Sequence, residues 1–85
     1  MPFRIRVRIM PRGGILDPQG QAVEHALGSL GFAGVTQVRV GRTVELRLEA
    51  AGEAEARASA QRMCERLLAN PVTEDFTVDA VEAGA

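Results

Sequence analysis

An α+β fold, with two helices on one face of an antiparallel sheet, is what this sequence predicts. Three observations carry that expectation. Phe3, Ile5, Val7 and Ile9 alternate with Arg4, Arg6 and Arg8, the period of a half-buried strand. Val23, Ala26, Leu27 and Leu30 share one side of a helix whose two ends are both marked. Ala56, Ala60, Met63, Cys64, Leu67 and Leu68 recur at helical spacing further along.

The first strand ends at Met10-Pro11-Arg12-Gly13-Gly14, a loop-forming run. Asp17 then reads as an N-cap, because its carboxylate can accept from the free amides of a first helical turn. Pro18 fits the first helical position, where its missing N–H costs nothing. Gly31 supplies the left-handed stop, and Phe32 can fold back on the last turn.

A second β region runs from Val35 to Glu49, with Val38, Val40, Val44, Leu46 and Leu48 all at even positions. A two-residue turn at Gly41-Arg42 would place Glu45 on the apolar face, which the register rule forbids. Two readings keep the faces intact: a three-residue loop Gly41-Arg42-Thr43, or one long strand bent at Gly41. The glycine stands at the wrong loop position for the hairpin, which favours the bent strand. Gly52-Glu53 opens the second helix. Asn70 tolerates a left-handed stop, and Pro71 prevents continuation. Phe76, Val78 and Ala80 alternate with Asp75, Thr77 and Asp79 in a last strand. Residues 1–81 read as a single domain and 82–85 as a frayed tail. Strand, helix, long strand or strand pair, helix, strand is the order of a two-layer ferredoxin-like sandwich, or of half of one whose sheet is completed by dimerisation.

Composition narrows the function. A chain of 85 residues buries only roughly 60–65% of its unfolded surface, so a partner or a second copy is a natural source of stability. A net charge of −1 gives no long-range pull toward nucleic acid or anionic membrane. No run approaches the roughly 20 apolar residues of a membrane span. The one cysteine excludes an internal disulfide and fits a reducing, cytoplasmic setting.

Reactive groups are few. His25, the one histidine, lies about 180° from the Val23/Leu27/Leu30 stripe, whereas Cys64 lies on a buried stripe. A Cys–His nucleophile pair therefore has no basis, and one His with one Cys falls short of a metal ligand set. Arg4, Arg6 and Arg8 form a basic row, but aromatic stacking residues for RNA are missing from that face. Glu45, Glu49, Asp75 and Asp79 on flanking strands are the better partners for the row. Arg12-Gly13-Gly14 could cradle an anion, yet nothing around it completes a phosphatase site. No nucleophile, base and orienting group come together, so neither a catalytic nor a cofactor site is expected.

Several stretches carry a family resemblance. Leu16-Asp17-Pro18-Gln19-Gly20, Val23-Glu24-His25-Ala26-Leu27 and Leu30-Gly31-Phe32 resemble the PurS family, the small subunits of phosphoribosylformylglycinamidine synthase. Val38-Arg39-Val40-Gly41-Arg42 and the run from Met63 to Val72 resemble later parts of the same family. The resemblance implies a ferredoxin-like fold that associates through its sheet. It implies a non-catalytic subunit that joins an ATP-dependent ligase, PurL, to a glutaminase, PurQ, and helps ammonia pass between them. The complex would use ATP, Mg and glutamine, with no cofactor in this chain. Expected partners are PurL, PurQ and further copies of this chain as a homodimer or higher oligomer. On that reading Gln19, Glu24, His25, Arg39 and Arg42, polar residues the fold does not need, are the candidate interface residues. A different class of function, a small ligand-binding regulatory domain acting as a dimer, fits the same fold.

Overall fold

The alternation from Phe3 to Ile9 becomes β1 (Pro2–Pro11), the central strand of an antiparallel sheet. The computed structural model describes residues 1–84. β2 (Arg42–Glu49) flanks β1 on one side and β3 (Glu74–Ala83) on the other, giving the order β2-β1-β3. Two helices complete the chain: α1 (Pro18–Ser29) and α2 (Glu53–Met63), the latter running into a π-helical turn, Cys64–Leu68. The α+β, ferredoxin-like class agrees with this arrangement.

Phe3, Ile5, Val7 and Ile9 are buried on one sheet face against Ala56, Ala60, Cys64 and Ala69. The small α2 side chains let the helix lie close over β1 and β3. β2 is less covered: Val44, Leu46 and Leu48 are only half-buried. The opposite face is polar. Arg6 meets Glu45 at 3.1 Å and Arg8 meets Asp79 at 3.5 Å, the cross-strand neutralisation expected of the arginine row. Arg4 instead stands opposite Arg47 on one side and Glu82 on the other, and Asp75 is taken by Arg12 at 3.2 Å.

Five local expectations are corrected by the structure. First, α1 does not lie on the sheet face. Only Gly20 of its residues is buried, and Leu30 is 74% exposed. Second, Val35–Gly41 is neither a hairpin arm nor part of a long strand; β2 begins at Arg42. Gln37 takes a left-handed φ of 58°, which breaks an extended run. The Val38 and Val40 amides donate to carboxylates on α1 instead of to a strand. Third, α2 ends differently. Ala69, the residue that follows the π turn, is extended, Asn70 is not left-handed, and the Asn70 side chain instead accepts from the Val72 amide at 3.0 Å. Fourth, β3 carries a bulge: Arg6 pairs with Ala80 but Val7 with Val78. The extra residue, Asp79, shifts the parity, so Val81 rather than Ala80 joins the core. Fifth, Glu82 and Ala83 pair with Arg4 and Phe3, and the Gly84 amide donates to the Pro2 carbonyl at 3.0 Å. Those residues are thus part of the sheet edge and not a frayed tail; Ala85 lies outside the described residues.

The molecule is elongated, 50 × 26 × 14 Å with a radius of gyration of 16.2 Å. A compact chain of this length would have about 12 Å. The difference comes from α1 and the following loop, which project from the sheet as an arm.

Two glycines of α1 predict opposite effects for the same substitution. A Cβ on Gly20 would stand 2.4 Å from the Val38 carbonyl oxygen, whereas one on Gly28 meets nothing within 4 Å. Gly28→Ala should stabilise the helix by about 0.5–1 kcal/mol and slow amide exchange in α1. Gly20→Ala should separate α1 from Val38 and speed that exchange. Equal protection in the two variants would contradict the packing described.

Candidate functional site

The arm is built by side chains that bond to backbone. Asp17 accepts from the Gly20 amide at 3.0 Å with one carboxylate oxygen, which is the expected cap. Its other oxygen accepts from the Val40 amide at 2.9 Å. Those two bonds hold the Asp17 carboxyl below the usual carboxylate range, the Gly20 bond contributing most. One turn on, Glu24 accepts from the Val38 amide at 3.1 Å. The helix closes on Gly31, whose φ is +94°. The Gly31 and Phe32 amides donate to the Gly28 and Leu27 carbonyls, each at 3.1 Å, satisfying the helix end as a left-handed stop does.

Gln19, His25 and Arg39 are exposed on this arm. Glu24 is half-buried and committed to Val38. Arg42 sits where the arm joins the sheet, and it too is engaged within the chain. Its guanidinium grips Glu74 through two bonds, 2.6 and 3.0 Å, and donates to the Leu68 carbonyl at 2.6 Å. Glu74 in turn accepts from the Asn70 amide at 2.7 Å. This clamp ties the start of β2 to the start of β3 and to the end of the π turn.

Periodicity alone missed that π turn. Ala69 donates to the Cys64 carbonyl, five residues back, at 3.0 Å. The buried spacing therefore runs Ala56, Ala60, Cys64, Ala69, and Leu67, expected on the inner stripe, is 82% exposed. Beside it a shallow apolar recess opens between β2 and α2, lined by Leu46, Met63, Leu67 and Leu68 and rimmed by Arg62 and Arg66. The missed signal at Gly20 was readable: a glycine in the first turn of a well-capped helix marks close backbone approach.

The titratable and nucleophilic side chains of the described residues lie apart. Cys64 is fully buried, and burial, with Glu65 second, pushes its thiol up, away from the reactive thiolate. His25 is exposed on α1. Among the described residues, no three His, Cys, Asp or Glu side chains gather as metal ligands. No helix among the described residues is long and apolar enough to cross a membrane. The arm is rich in exposed large apolar side chains: Ile15, Leu16, Val23, Leu30, Phe32 and Val35.

Residues 4–82 match the family described as PurS, phosphoribosylformylglycinamidine (FGAM) synthase. The chain belongs to the PurS family. It is 44% identical to the PurS subunit of the Synechocystis enzyme, over 94% of this chain and 82% of the relative. Its structure resembles that of Thermus thermophilus PurS with a TM-score of 0.88 and 39% identity, covering 100% of both chains. It also resembles a chain of the PurLQS structure from Thermotoga maritima, with a TM-score of 0.83 and 29% identity, covering 92% of this chain and 95% of that one. PurS proteins are subunits of FGAM synthase, a ligase of purine biosynthesis.

Proposed function

We propose that this chain is a non-catalytic adaptor of FGAM synthase, bridging the PurL ligase and the PurQ glutaminase and assisting ammonia transfer between them. The reaction served is formation of formylglycinamidine ribonucleotide from formylglycinamide ribonucleotide, glutamine and ATP in the cytoplasm, with Mg and ATP held by the complex and not by this chain. One observation supports this reading above the others: a full-length PurS likeness coincides with a protruding, self-braced apolar arm and the lack of any nucleophile–base pair among the described residues.

The exposed Gln19, His25 and Arg39 are the direct contacts in this proposal. Glu24 and Arg42 act as positioning residues, because their charged ends already hold the Val38 amide and the Leu68–Glu74 clamp. A homodimer or higher oligomer of the chain is part of the same reading. Copurification of this chain with PurL and PurQ tests it, and a chain that elutes alone under turnover conditions would contradict it. His25→Ala should leave the fold unchanged by circular dichroism and weaken capture by PurL and PurQ. Normal assembly and turnover with that substitution would remove His25 from the interface.

A further inference from the structure

We infer that the polar sheet face around Arg4 and Arg47 docks an acidic segment of a partner subunit, one of whose carboxylates lies between the two guanidinium groups. The inference rests on the adaptor reading above for which subunits are met, and it adds a second contact surface to the one on the arm.

The cross-strand pattern of this face carries it. Side chains directly opposite on antiparallel strands stand about 4.5–5.5 Å apart at Cβ, and like charges so placed are destabilising. Arg6 opposes Glu45 and Arg8 reaches Asp79, so both are neutralised. Arg4 opposes Arg47, and among the described residues neither forms an ion pair. The acids nearest in register do not relieve them. Glu45 is held by Arg6 at 3.1 Å, Glu49 by the Met1 amine, and Glu82, opposite Arg4 on β3, makes no ion pair. Threonine in place of Arg47 would suit the strand better. The opposed arginines are therefore a local conflict that folding does not account for, which is the mark of a position kept for another purpose.

A shallow hollow lies between them, lined by Arg4, Glu45, Leu46 and Arg47. Its volume, 260 Å³, falls below the roughly 300–1,000 Å³ of a metabolite pocket. The charged residues around it are exposed. That shape suits one side chain entering from a protein surface. Two guanidinium forks give a single carboxylate charge-assisted bonds from both sides, and arginine is a favoured anchor in protein interfaces.

Charge selects a different chain over a second copy. Glu45, Glu49, Asp75 and Asp79 of this face are already paired, which leaves Glu82 to offer among the described residues. A two-fold contact brings the same patch to both sides, so two copies meeting through this face would set arginine against arginine. Position supports a separate contact. Arg4 is near the start of β1, and the arm leaves after the strand's end at Pro11, about 25 Å away along an extended chain. An adaptor needs two surfaces that are occupied together, and this spacing provides them.

The test is capture of PurL and PurQ by the immobilised full chain under turnover conditions, for wild type, Arg4→Gln and Arg47→Gln. Both side chains are exposed, so circular dichroism should be unchanged. Each substitution should weaken capture at least tenfold at about 50 mM salt, and the difference should shrink as added salt screens the charges. Arg47→Gln should also raise the midpoint of urea unfolding, because it ends a like-charge opposition. A lowered midpoint would mean that Arg47 is paired within the fold, and would overturn the inference. Capture within twofold of wild type for both variants would overturn it too, while leaving the adaptor reading standing. A wild-type chain that captures neither subunit would take down both. A wild-type oligomer that both substitutions dissociate in sedimentation equilibrium would place a second copy on this face, and would overturn the inference as well.

Discussion

Ile5→Ala is expected to cost about 2–4 kcal/mol, enough to leave much of the isolated chain unfolded at physiological temperature. Ile5 is 0% exposed and sits at the middle of the central strand, opposite Leu46 on β2 and Val81 on β3. The α2 side of the same core is made of small side chains, Ala56 and Ala60, too short to fill the space vacated. A chain of this size has about 4–13 kcal/mol of stability in total, and among the described residues nine side chains are buried in the core, four of them on β1. Urea unfolding should show a lower midpoint with an unchanged slope. A loss under 1 kcal/mol would mean that the core is not where the structure places it.

The clamp between Arg42 and Glu74 gives the second large effect. Arg42→Ala removes two bonds to the Glu74 carboxylate and one to the Leu68 carbonyl. An exposed ion pair contributes only about 0–1 kcal/mol. Here one partner is largely covered, with the Glu74 side chain 18% exposed against 50% for Arg42. Glu74 also holds the Asn70 amide, so about 1–2 kcal/mol is expected for the group, discounted for the exposure of Arg42. The sign of the pH effect follows from the same bonds. Arg42 first, and the Asn70 amide second, hold the Glu74 carboxyl below its ordinary value. The unfolded chain therefore binds the proton more readily, so the contribution is present above the ordinary glutamate range and is lost as pH falls through the lowered native value. Glu74→Gln should flatten that part of the acid unfolding profile. Asp17, lowered by the Gly20 and Val40 amides, should keep the remaining part. An acid profile unchanged by Glu74→Gln would contradict the clamp.

The sheet and α2 were legible because each obeys one period. Phe3 to Ile9 alternate and are buried at every second residue, and Ala56, Ala60 and Cys64 keep a four-residue step. What escaped were places where one residue breaks the period. Asp79 bulges β3, the π turn adds a residue before Ala69, and Gln37 turns left-handed ahead of β2. Each is a local event set by tertiary partners, and sequence spacing holds no record of those partners. The arm shows a deeper limit. Its caps were readable from Asp17, Pro18 and Gly31, but the apolar stripe expected to face the sheet is left exposed on α1. The stripe does not say whose core it covers. Val23 and Leu30 carry the same pattern whether they face their own sheet or another molecule's. Arg42 was singled out as a residue the fold does not need, yet it closes the Leu68–Glu74 clamp; a charged residue beside a bend reads alike in either role.

Reconstitution tests the adaptor account most directly. Purified PurL and PurQ are assayed for formylglycinamidine ribonucleotide with ATP, Mg and formylglycinamide ribonucleotide, with and without this chain, using glutamine or free ammonia as the nitrogen source. The account predicts that glutamine-dependent synthesis needs the chain, while synthesis from added ammonia proceeds without it. Full glutamine-dependent synthesis in its absence would contradict the account.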